Sequence, residues 1–263
     1  MNRKVLVAVA LVALTLTSGC LSFFTSNEVS NERLVEDPAQ PYAWDQEEQA
    51  HITVTENAKF QAVYRMNGTE MEIFRRDGFG GRNAIPIRAV RYRYPNGTVV
   101  DGGELKARGG EITQSRSVTT VRLPQDAPAD GKLAFSAGST PKRFALPTFV
   151  EGSYEVVLPP GRRVSLFPFG NVAPRDYETS RDDQGRTHIV WENVTADSIV
   201  VQFYLQRDLY IFGGIAAALL GIGLVGALYY RRKIAALREE REELGLDVDV
   251  DDDDRRGPPP GMG

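Results

Sequence analysis

The sequence predicts an all-β exported region followed by one membrane-spanning helix. Three observations carry this reading. Short alternating runs of β-branched and aromatic residues, separated by turn residues, fill positions 45–208. Residues 209–230 contain no charge, and the chain opens on a basic and then apolar segment of export type. The 263 residues allow one or two domains once these end segments are set aside.

Residues 1–20 read MNRKVLVAVALVALTLTSGC. Arg3 and Lys4 form the basic start, and Val5 to Leu16 form an apolar run that spans only ~18 Å as a helix, too short for a ~30 Å hydrocarbon core. This predicts a signal peptide. Its end, Leu16-Thr17-Ser18-Gly19-Cys20, resembles a lipobox and makes Cys20 the candidate lipidation site, although Thr17 stands where an aliphatic residue is usual. Residues 21–44 show no sustained period, contain Pro38 and Pro41, and read as a tether.

The first β-module is expected at 45–123. Phe60, Ala62, Tyr64 and Met66 alternate before Asn67-Gly68, and Met71, Ile73 and Phe74 follow, which reads as a hairpin. Val90, Tyr92 and Tyr94 alternate with Arg91 and Arg93 before Asn96-Gly97 and Val99-Val100, which reads as a second. Residues 111–123 read as one further strand. Residues 124–148, rich in Pro, Gly, Ser and Ala, read as a linker. A second β-module is expected at 149–208, with strands at Tyr154/Val156/Leu158, Thr187–Glu192 and Ile199/Val201/Phe203/Leu205 and a turn at Asp182-Asp183-Gln184-Gly185. Some sixty residues make a marginal core alone, so the two modules should pack as a β-sandwich-like whole.

Residues 209–230 would rise ~33 Å as a helix, enough to cross a bilayer. Tyr210, Tyr229 and Tyr230 suit the interfaces. Arg231, Arg232 and Lys233 follow at once, which by the positive-inside rule puts the C-terminus in the cytoplasm and the β-region outside. Residues 231–263 read as this basic cluster, a short helix and an acidic disordered tail, with 4 basic and 10 acidic residues from 234 onward.

The lipobox-like start, the β-rich exported region, the segment WENVTADSIVVQFYLQRDLYIF leading into a Gly/Ala-rich span, and the acidic tail together resemble a haloarchaeal family of membrane-anchored surface proteins of unknown function. Only six of the 31 basic residues are lysine, in keeping with a GC-rich halophile. The resemblance implies a location and no chemistry.

The sequence carries few marks of chemistry. One cysteine excludes an intramolecular disulfide, and the net charge of −4 argues against nucleic-acid binding. No phosphate loop, dinucleotide glycine pattern, nucleophile elbow or zinc-protease motif occurs. His51 and His188 stand far apart without ligand-type neighbours and read as ordinary strand histidines, while Asp182-Asp183 reads as turn chemistry. The tail DVDVDDDD lacks the glycine and glutamate of an EF-hand loop and reads as solvated. No catalytic, cofactor or metal residues are therefore expected. Three Asn-x-Thr sequons, at Asn67, Asn96 and Asn193, exceed the about 0.9 expected by chance and are candidate glycosylation sites on loops.

Gly213, Ala217 and Gly221 recur every four residues and offer a smooth face for another helix, of the same chain or a different one. Ile234, Leu237 and Leu244 continue at coiled-coil spacing, interrupted by Arg241. The function expected is that of a non-enzymatic, membrane-anchored surface protein with a binding or structural β-module and membrane lipid as its first partner. A single-pass sensor or adaptor is the alternative, and an exported enzyme comes third.

Overall fold

The computed structural model describes residues 27–243, apart from 126 and 129. The described residues are mostly β-strands in several sheets, followed by one long apolar helix. In order it forms β1 (Asn27–Glu28), helix α1 (Asn31–Val35), β2 (Ala50–Val54), β3 (Lys59–Arg65), β4 (Glu70–Arg76), β5 (Arg82–Ala84), β6 (Arg88–Arg93) and β7 (Val99–Asp101). Helix α2 (Gly102–Ala107), β8 (Glu111–Gln114), β9 (Thr119–Arg122), β10 (Lys132–Gly138), β11 (Arg143–Pro147) and β12 (Gly152–Leu158) follow. Then come β13 (Arg162–Arg163), β14 (Asn171–Ala173), β15 (Glu178–Arg181), β16 (Thr187–Val194), β17 (Ser198–Gln202), β18 (Tyr204–Leu205) and helix α3 (Gln206–Glu243).

The main sheet has eight strands in the order β15-β16-β12-β2-β3-β10-β6-β7, parallel between β12 and β2 and antiparallel elsewhere. A five-stranded sheet (β1-β8-β9-β4-β5) and a three-stranded sheet (β11-β17-β14) share its core. Strand alternation decides what enters that core. Ile52, Phe60, Tyr64, Leu133, Phe135, Tyr154, Val156 and Leu158 point inward from the main sheet, meeting Ile73, Ile112, Val121, Phe144 and Ile199 from the smaller ones. Phe60 stands edge-on to Phe144 at 5.4 Å and to Phe135 at 6.1 Å. Each such side chain, fully removed from water, contributes roughly 1.5–3 kcal/mol before chain entropy is charged against it.

Several expectations are corrected. Residues 124–148 are not a linker, because β10 lies in the middle of the main sheet, paired with β3 on one side and β6 on the other. Its Ala, Ser and Gly residues resemble loop composition, yet Leu133, Phe135 and Ala137 alternate inward. Strands from both expected modules thus interleave in one sheet, and the described residues up to Gln206 form one compact unit. The Asn67-Gly68 turn closes no hairpin, since β3 belongs to the main sheet and β4 to the five-stranded one. The Asn96-Gly97 turn does, with Gly97 at φ +88 between β6 and β7. Residues 111–123 hold two strands, β8 and β9, paired across a turn at Ser115.

Nor is the segment before Trp44 a free tether from Asn27 onward. β1 pairs with β8, and Leu34 of α1 is completely buried. Gly102 lets this happen, since a Cβ there would meet the Leu34 Cβ at 2.8 Å. Arg91 donates to the carbonyls of Leu34, Val35 and Glu36. Tyr42 then lies on the outer face of the main sheet against Val63 and Ala134, its hydroxyl donating to the Ala89 carbonyl at 2.6 Å. The small residues of β10, Ala134 and Ser136, are what admit the ring.

Candidate functional site

The outer face of the main sheet carries a polar network beyond the region covered by Tyr42. His51 of β2 and Glu155 of β12 are register partners in the parallel pair, so both side chains leave the sheet on the same side. β16 runs antiparallel to β12 with His188 opposite Val157, which sets His188 diagonal to Glu155. Three neighbouring strands therefore bring together residues more than 30 apart in sequence.

Glu155 is the hub. Its Oε2 accepts from His51 Nδ1 at 2.7 Å and its Oε1 from His188 Nδ1 at 2.6 Å. The network continues outward through the β15–β16 turn. Asp182 Oδ1 accepts from the backbone N–H groups of Gln184 and Arg186, and Oδ2 accepts from Arg186 Nε at 2.6 Å. The same Oδ2 lies 3.3 Å from His188 Nε2, and Thr53 Oγ1 lies 3.3 Å from His51 Nε2. His51 and Glu155 are only 6% and 7% exposed, whereas His188 and Asp182 lie at the more open rim.

Burial alone would push the Glu155 carboxyl up. The hydrogen bonds and charge of the two histidines prevail and hold it below its ordinary value. At Asp182 partial desolvation is likewise outweighed, by the Arg186 backbone and guanidinium and by His188, and the carboxyl sits well below its usual range. Both groups are thus ionised acceptors at neutral pH.

One neighbour is left out of this satisfaction. Glu48 Oε2 is shielded from solvent and has no hydrogen-bond partner. One donor atom from each of Glu48, His51 and Glu155 lies within 4.8 Å of the other two. Two carboxylates that close repel by about 3 kcal/mol at an effective dielectric near 20. Among the described residues these three are the set with the geometry to hold a cation.

The residues singled out in the sequence are distributed as follows. Asn67, Asn96 and Asn193 are all exposed. Asn193, however, lies in β16 rather than on a loop, where the register with β12 slips between Gly152 and Tyr154. Gly213, Ala217 and Gly221 lie on α3 with open space beside both glycines. Cys20, Leu244 and the tail 247–254 lie outside the described residues. The two histidines are strand residues as expected, but they are corrected from isolated to convergent. The available signal was parity: His51 and Glu155 occupy the outward positions of otherwise apolar strands.

α3 is 38 residues long, and no part of its apolar stretch is buried. Such a helix following a β-sheet unit defines a class, that of β-rich proteins with one helix long and apolar enough to cross a membrane. Within that class the chain belongs to DUF5803, a family of unknown function, whose model matches residues 46–249. That match includes Glu48, His51, Glu155, Asp182, Arg186 and His188. No curated protein matches the chain.

Proposed function

We propose that this is a haloarchaeal cell-surface protein whose β-rich unit is held at the membrane by α3 and serves a non-enzymatic binding or structural role. The observation that carries the reading is α3 itself. Leu209 to Tyr230 contain no charge, and their large apolar side chains, Leu219, Leu220, Ile222 and Val225 among them, are left for lipid to cover. Arg231, Arg232 and Lys233 favour a cytoplasmic C-terminus, which leaves the β-unit outside. The signal-like residues 1–20, lipidation of Cys20 and glycosylation at exposed Asn67, Asn96 and Asn193 fit the same placement. A non-enzymatic role is supported by the burial of His51 and Glu155, which keeps both away from a substrate in solvent.

Washing cell membranes with alkaline carbonate tests the anchor. The full chain and its Cys20→Ser variant should both stay in the pellet, because α3 holds them without the lipid. Release of Cys20→Ser while the wild type is retained would give the anchoring to the lipid and remove α3 from the account.

A further inference from the structure

We propose that Glu48, His51 and Glu155 form a binding site for a divalent transition-metal ion, with Zn²⁺ the representative occupant. The three donors come from two places in the chain, Glu48 and His51 at the entry to β2 and Glu155 in β12. The parallel β2–β12 pair fixes His51 and Glu155 side by side. Their donor atoms lie within 4.8 Å of one another, with His51 Nδ1 and Glu155 Oε2 already 2.7 Å apart, so small side-chain shifts bring all three to the about 3.4 Å edge of a tetrahedral shell with bonds near 2.1 Å.

The need for a cation is visible in the charges. Glu48, whose Oε2 is shielded and unpartnered, offers a carboxylate oxygen within 4.8 Å of one of Glu155. The nearby Lys132 ammonium does not pair with it, because that group donates to the carbonyls of Trp44 and Gln46 at 2.6 Å each. Arg186, the guanidinium of the network, is committed to Asp182. A metal ion supplies the missing positive charge and takes the orphaned oxygen as a ligand.

The ligand set selects the kind of ion. One imidazole with two carboxylates suits borderline ions such as Zn²⁺ better than Ca²⁺, which prefers six to eight oxygens. The surroundings are also those of a metal site. His188 bonds the far oxygen of Glu155 at 2.6 Å and is itself braced by Asp182, an outer contact that orients the ligand carboxylate. The limited exposure of His51 and Glu155 suits an ion that stabilises the fold.

The test uses the full-length protein in detergent, stripped with chelator, then titrated with ZnCl₂ while bound zinc is counted by mass spectrometry and melting is followed. The wild type should take up one equivalent that raises its melting point. Glu48→Gln and His51→Gln should each weaken that equivalent at least tenfold. A chain ending at residue 246, without the acidic run, should keep it. Because Glu48→Gln removes a repulsive, unpartnered carboxylate, its metal-free melting point should equal or exceed that of the wild type, so lost binding would not be lost folding. The proposal is overturned by no stabilising zinc, by zinc lost with the tail, by unchanged binding in either variant, or by a metal-free Glu48→Gln that melts lower.

Discussion

Replacing Glu155 by glutamine in chelator-treated protein removes the charge at the centre of the network and changes almost nothing in volume. The carboxylate accepts two short hydrogen bonds, at 2.7 Å from His51 and 2.6 Å from His188. Hydrogen bonds to a charged group are worth about 1.5–3 kcal/mol each, and neutral ones about 0.5–1.5. Glutamine can still accept from one imidazole through its oxygen and donate to the other after a change of tautomer. Both bonds therefore survive in weaker form, and the expected loss is about 2 kcal/mol. For a β-unit of this size that lowers the melting temperature by roughly 4–8 °C. His51→Gln and His188→Gln each remove one of these two short bonds, together with a weaker 3.3 Å contact to Thr53 or Asp182, and should cost about half as much. The double variant Glu155→Gln/His51→Gln should fall short of the sum by about 1 kcal/mol, since both changes break the same contact. Urea and thermal unfolding in detergent, monitored by the fluorescence of Trp44 and Trp191, provide the measurement. A Glu155→Gln protein within 0.5 kcal/mol of the wild type (about half the cost of a single neutral bond), or an additive double variant, would refute the hub role.

Three further outcomes are expected. Leu34→Ala should destabilise the β-unit by about 3 kcal/mol, as a fully buried leucine does; unchanged urea unfolding would return residues 27–44 to the status of a tether. Asp182→Asn should destabilise at neutral pH and progressively less in acid. The folded-state value of this carboxyl is depressed, so its contribution is present above the unfolded value near 4 and is lost as pH falls through the lower folded value; urea unfolding at a series of pH values checks this, and a gap between variant and wild type that widens in acid would contradict it. Gly213→Ile together with Gly221→Ile should abolish a crosslinked dimer in membranes without preventing insertion, and an unchanged dimer would remove that face of α3 as a contact.

The legible parts of the fold were those that depend on local pattern. The long uncharged run announced α3, and alternation announced β3, β6, β12 and β16 to within a residue or two, whereas the single strand expected from Ile199 to Leu205 breaks after Gln202 into β17 and β18, which lie in different sheets. What the pattern could not carry was partnership. β10 hid behind its own small residues, of which Ala134 packs against Tyr42 and Ser136 Oγ meets the Tyr42 hydroxyl at 2.9 Å. The anchoring of residues 27–44 hid for a related reason, because its holding groups, Arg91 and Gly102, are distant in sequence and ordinary in type. α2 did have a local signal that went unread, namely Asp101 three residues before Glu104, with the Asp101 side chain accepting from the Glu104 N–H at 2.8 Å. The polar site needed the strand order itself. His51 meets Glu155 only because β2 and β12, about a hundred residues apart, are parallel neighbours, and no periodicity encodes that.

The placement of the β-unit outside and the C-terminus inside is the claim on which the account of function turns, and one measurement reaches it directly. Intact cells carrying the chain with a C-terminal epitope are treated with protease and then probed for the epitope and for the β-unit. Loss of the β-unit and survival of a short tagged fragment containing α3 are expected, because Arg231, Arg232 and Lys233 favour the cytoplasmic side. Loss of the epitope with a protected β-unit would contradict it.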